Sequence, residues 1–126
     1  MPAAADAHKR LYHLCPRSAW QAAQARGAYN GGRGAGPDAF IHLSTGDQVA
    51  GSAALHFAGA DDLLLLTVDP DRLGPGLRWE ASRGGALFPH LYGDLPLKAV
   101  LAVDLLPLGA DGRHVFPDLS DGAAGA

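Results

Sequence analysis

His13 lies between Tyr12 and Leu14, and His42 lies between Ile41 and Leu43, each inside an otherwise apolar run. Burying an imidazole without a partner is costly, so each ring needs a hydrogen bond or a pocket. One such histidine is more often a satisfied core group. Two, each on a strand that runs into a helix, point to one ligand-facing site, because such strand ends commonly carry binding groups. Arg78-Trp79-Glu80 is the second candidate. Alternation puts Arg78 and Glu80 on one face and Trp79 on the other. The two charges read either as a solvated pair or as a positioned carboxylate with a basic neighbour at a cleft edge. The third candidate is the run Leu87-Phe88-Pro89-His90-Leu91-Tyr92-Gly93. Phe88, His90 and Tyr92 share one side of an extended strand. That side suits stacking on a flat ring such as a base or nicotinamide, or else packing in a core.

Other chemistries fare less well. His13, His42 and His90 could in principle hold a zinc ion. No close pair such as H-x-x-x-H fixes that geometry, and no metal is expected. Ser44 has no nucleophile elbow around it and falls into the ligand-binding set. Cys15, beside Pro16, reads as an inert small hydrophobe. His8, His56 and His114 have no context that raises them above edge or surface residues. No G-x-G-x-x-G or P-loop pattern cradles a phosphate.

These side chains need elements to position them. Residues 10–15 alternate as a short strand. Pro16 suits a helix start, the alanines of 19–25 favour the helix, and Gly27 caps it. Five of the nine residues 30–38 are Gly or Pro, which makes a loop. Residues 40–44 form a second strand. Ser44 or Thr45 then caps a helix from near Asp47 to about Ala58. Residues 63–68 are a buried strand, 69–74 a turn, and 77–81, 87–92 and 99–106 further strands. A turn at 111–113 leads to a short last strand at 114–116. Helices come early and strands cluster late, which predicts an α+β domain with a mostly antiparallel sheet.

Composition bounds the rest. The 126 residues include 24 Ala, 17 Gly and 9 Pro, so a real core must come from the clustered larger apolar residues. One domain over 10–118 is expected, with disordered tails at 1–9 and 119–126. The net charge of −3 does not fit a nucleic-acid binder. A lone Cys excludes an internal disulfide and a multi-Cys zinc site. The apolar runs fall short of the roughly 18 residues that span a bilayer, and residues 1–8 have no signal-peptide character. A cytoplasmic protein without membrane partners is the expectation.

Ordered along the chain, Tyr12-His13-Leu14, Trp20, Ala25-x-Gly27-x-Tyr29 and Phe40-Ile41-His42-Leu43-Ser44 with Gln48-Val49 carry a resemblance. Asp62-Leu63-x-Leu65-Leu66-x-Val68-Asp69, Arg72-Leu73, Arg78-Trp79-Glu80 and the 87–93 run continue it. Over residues 10–117 the chain resembles a bacterial and plant family, number 952 in the domain-of-unknown-function series. That family is grouped with the ADP-ribosyltransferase fold, nearest the RNA 2′-phosphotransferases. The resemblance implies a compact split β-sandwich with a cleft for NAD. His13 would fill the first motif position of that group, His42 the second and Glu80 the third. Only Arg72 and Arg78 could stand for the phosphate-binding arginines of the RNA branch, which speaks against a polynucleotide substrate.

Three readings follow. The leading one is an ADP-ribosyltransferase-like enzyme that takes NAD, a small-molecule nucleotide, and transfers or releases ADP-ribose. His13 and His42 would hydrogen-bond the ribose or pyrophosphate, and Tyr92, Phe88 or Trp79 would stack on nicotinamide. Glu80 would orient the acceptor or a ribose hydroxyl. Ser44, Arg78 and His90 would complete the ligand-binding set. The alternative is a non-catalytic module binding a small ligand or a protein on the same scaffold. The third reading makes His13, His42 and His90 a hydrogen-bonded core network.

Overall fold

The computed structural model describes residues 10–31, 39–81 and 85–119. The predicted tails at 1–9 and 120–126, and most of the predicted loop at 30–38, lie outside these residues. Leu119, placed in a tail by composition, packs against the core.

The elements run β1 (Leu11–Pro16), α1 (Arg17–Arg26), β2 (Ile41–His42), α2 (Val49–His56), β3 (Leu63–Val68), β4 (Leu77–Ala81), β5 (Leu87–Leu91) and β6 (Val100–Leu106). They form an α+β arrangement of two three-stranded antiparallel sheets, β1-β3-β6 and β2-β5-β4. β3 is central because its leucines serve both faces. Leu64, Leu66 and Val68 join one apolar cluster with Leu11, Ile41 and Leu91, while Leu63 and Leu65 join another with Tyr12, Leu14 and Val49. Apolar burial of this kind, at about 25 cal/mol per Å², is the main force holding the two sheets together. No helix among the described residues is long and apolar enough to cross a membrane.

The segment after the predicted loop departs from the expected single strand. Residues 41–42 pair with β5, and the Leu43 amide still donates to the Pro89 carbonyl at 3.0 Å. Ser44 instead exchanges two 2.8 Å backbone bonds with Tyr12 of β1. The chain therefore crosses from one sheet to the other within four residues, and alternation cannot register such a change of partner. This crossing joins the sheets beside the histidines.

Three further differences have local causes. α2 begins at Val49 rather than near Asp47, and no hydroxyl caps it. The Ser44 hydroxyl sits 3.3 Å from that of Ser52, and the Gln48 carboxamide oxygen takes the Thr45 amide at 3.1 Å. The predicted turn at 69–74 tightens into two short 3₁₀ turns, Pro70–Arg72 and Gly74–Gly76. The predicted strand at 114–116 shrinks to one bridge, Leu108 with His114. Pro107 and Pro117 flank that bridge and have no N–H for a longer ladder.

Asp69 organises the first 3₁₀ turn. Its Oδ1 accepts the Asp71 amide at 3.0 Å, and its Oδ2 lies 3.4 Å from Arg72 Nε. Asp69→Ala is expected to lower stability by about 1 kcal/mol in urea denaturation, the usual value of a lost cap. An unchanged midpoint would show that the cap contributes nothing.

Candidate functional site

The β2-β5-β4 sheet has one face in the core and one turned away from it. Ile41, Leu77, Trp79 and Leu91 pack into or against the core. On the other face, register pairs His42 with His90, Arg78 with His90 and Glu80 with Phe88. The period-two pattern of the sequence thus assembles two candidate strands on one surface. Trp79 does not join them, because it faces the opposite way, as its alternation with Arg78 and Glu80 requires.

Glu80 is the anchor of this surface. Its Oε1 accepts from the Tyr92 hydroxyl at 2.7 Å and lies 2.7 Å from His90 Nδ1. These bonds, Tyr92 first and His90 second, hold its carboxyl below the usual pKa. The Arg78 guanidinium lies over the Tyr92 ring, 4.8 Å from its centroid. Phe40 stacks on His90 at 4.0 Å and 19°. It also meets His42 edge-on at 4.8 Å and Tyr92 at 5.2 Å. Phe40 is a site residue that sequence reasoning left out, although its spacing from His42 already placed it on the same side of the strand.

His42 links this surface to a cavity of about 540 Å³. Its ring centroid lies 5.3 Å from that of His90. Its pKa is lowered, first by partial burial and then by the neighbouring His90 and His56. His13, Tyr29, Ser44, Ser52, His56 and Phe88 also line the cavity. His56, read from sequence as an edge or surface residue, is exposed and also forms part of the cavity wall.

His13 plays a different part from His42. It is 7% exposed, and both ring nitrogens are engaged. Nδ1 lies 2.6 Å from the His42 carbonyl and Nε2 lies 2.6 Å from the Tyr29 hydroxyl. A carbonyl only accepts, so Nδ1–H donates to it and the Tyr29 hydroxyl donates to Nε2. Burial is the main cause that lowers the His13 pKa to about 4, so the ring is neutral. Tyr29 is pushed above its ordinary pKa by burial and by the adjoining Cys15, and burial likewise raises the Cys15 thiol. His13 therefore fixes the backbone that carries His42. Sequence spacing offered no signal for the Tyr29 partner beyond its place in the ordered motif series. Among the described residues, no group of three or more His, Cys, Asp or Glu side chains could hold a metal.

The family model described as "Protein of unknown function (DUF952)" matches residues 14–103. The chain belongs to the DUF952 family. The crystal structure of protein CC0527 from Caulobacter crescentus is similar, with 42% identity and a TM-score of 0.75, covering 91% of this chain and 98% of that one. A double mutant of CC0527 gives the same values. The solution NMR structure of CC0527 has a TM-score of 0.71 at 42% identity, covering 90% of this chain and 95% of that one. No curated protein matches. Within this DUF952 chain, the site comprises the Glu80 surface and the adjoining cavity, joined at His42 and Phe88.

Proposed function

We propose that this DUF952 protein is an ADP-ribosyltransferase-like enzyme that binds NAD in the cavity and works at its Glu80 rim. One observation carries the reading. A half-exposed carboxylate, fixed by Tyr92 and His90, shares a sheet face with His42, whose ring lies 5.3 Å from that of His90 and which lines the cavity of about 540 Å³. Such a pocket is large enough for much of a dinucleotide, and pockets of this size commonly combine apolar walls with a few placed polar groups. Phe88 and Tyr92 offer faces for the nicotinamide ring. His42 is the hydrogen-bonding group for ribose or pyrophosphate, with His13 holding it in place. Nicotinamide leaves through an oxocarbenium-like state stabilised by electrostatics, and Glu80 orients the acceptor or a ribose hydroxyl.

Calorimetry with NAD and with ADP-ribose tests this. Wild type is expected to bind both, and His42→Ala to weaken binding at least tenfold, since a hydrogen bond to a charged group contributes about 1.5–3 kcal/mol. His42 is exposed, so its replacement leaves the core intact. No heat at millimolar ligand, from a protein folded by circular dichroism, would remove the proposal.

A second reading is a binding module without turnover. What favours it is the cavity wall, whose described lining contains no Arg or Lys to meet a pyrophosphate. Under that reading ligand binds, nicotinamide is not released, and Glu80→Gln changes nothing.

A further inference from the structure

His90 has a buried nitrogen, Nε2, with no hydrogen-bond partner among the described residues. The side chain is 5% exposed. Orphaned buried groups of this kind are uncommon and need a cause. The other nitrogen, Nδ1, is held at 2.7 Å by Glu80, whose ionised carboxylate can only accept. In the neutral ring the proton is then on Nδ1 and the lone pair on Nε2. Tyr92 holds the same carboxylate oxygen, so the orientation of the pair is fixed from two sides. Phe40 lies flat across the imidazole at 4.0 Å.

A carboxylate, an imidazole oriented by it, and an unused acceptor nitrogen are the parts of a general base that lacks only its proton donor. We propose that the Glu80–His90 pair is a proton-transfer centre for a hydroxyl-bearing acceptor, water or an alcohol, with Phe40 covering the place a planar ligand ring would take. Its donor rests on the ribosyl-transfer reading above; the pair itself does not. The step balances as follows. The bond between the ribosyl carbon and the nicotinamide nitrogen breaks, and its electron pair leaves with nicotinamide, which departs neutral. The acceptor oxygen bonds to the ribosyl carbon, and its proton passes to His90 Nε2. The positive charge first carried by the pyridinium ends on an imidazolium that faces Glu80. His90 is the catalytic residue in this step, and Glu80 is the positioning residue.

Long-range ¹H–¹⁵N NMR of the full chain reads the ring directly. The expected spectrum shows His90 with a protonated Nδ1 and an unprotonated Nε2, and Glu80→Ala abolishes that preference. A neutral ring protonated on Nε2 in wild type overturns the proposal, whatever NAD does. Diethylpyrocarbonate, located by peptide mass mapping, is expected to modify His90 at least tenfold faster in Phe40→Ala. An unchanged rate overturns the covering role of Phe40. His90→Gln is expected to lower nicotinamide release about a hundredfold, the lower end for general-base loss, with NAD affinity within threefold of wild type. Normal release by that variant overturns the base while leaving ribosyl transfer standing. Failure of NAD to bind wild type instead removes the donor, and the tautomer still decides the pair.

Discussion

His13→Ala is expected to lower the stability of the domain by about 3 kcal/mol, enough to move the melting temperature by roughly 10 °C. Two costs combine. The variant removes a buried ring and leaves space beside Tyr29, whose ring meets the imidazole edge-on at 5.2 Å. It also takes the partner from the His42 carbonyl and the Tyr29 hydroxyl, each 2.6 Å from the imidazole. A buried group that loses its partner costs about 1–3 kcal/mol. A loss below about 1 kcal/mol in urea denaturation would show that this hydrogen-bonded link is not structural.

The same ring sets an acid sensitivity. Its pKa is near 4 when folded and 6.5 in a model peptide, so between these values the unfolded chain binds more protons. Unfolding then takes up a proton, and stability falls as pH drops from about 6.5 towards 4. The slope is at most about 1.4 kcal/mol per pH unit, and the contribution lost by pH 4 is about 3 kcal/mol. Below the folded pKa both states are protonated and this slope vanishes. His13→Gln, which does not titrate, is expected to flatten the profile in that window. An equally steep profile in the variant would assign the acid sensitivity to other groups.

Gly76→Ala is expected to cost about 3 kcal/mol, although only one methyl group is added. A Cβ at Gly76 would fall well inside contact distance of the Tyr92 carbonyl oxygen and close to its carbon. These are backbone atoms, so no rotamer change relieves the clash. The Gly76 carbonyl also accepts the Tyr92 amide at 2.9 Å, which ties the entry of β4 to the end of β5. Separating the two moves Tyr92, and the Tyr92 hydroxyl is one of the two groups that hold Glu80. Urea denaturation measures the first effect, and the His90 ring tautomer reports the second. A midpoint within 1 kcal/mol of wild type would mean that the hairpin adjusts freely.

Much of the site was legible in the residues because period-two alternation is a local property. Arg78 and Glu80 were assigned to one face, and Phe88, His90 and Tyr92 to one side of their strand. The antiparallel register of β4 with β5 then had to bring the two sets together. Helix α1 followed from its alanines and Gly27, which adopts the left-handed conformation at φ 84°. The extent of the 40–44 strand was not legible, since its hydrogen bonds belong to two different sheets. The start of α2 was misplaced because the Ser44 hydroxyl lies against Ser52, one turn inside that same helix, instead of capping its first amides.

By itself, the sequence determined the α+β class, the family and the polar face of the small sheet. Each depends on residue order or on a repeat only a few residues long. Tertiary structure alone decided the separate roles of the histidines. His13 and His42 look alike in sequence, each a histidine between apolar neighbours. One is buried with both nitrogens bonded, and the other reaches solvent at the cavity edge. That difference depends on Tyr29, 16 residues away from His13, and on the crossing of one chain segment between two sheets. Burial and hydrogen-bond partners are properties of packing, and packing brings together residues whose separation along the chain carries no signal of their contact.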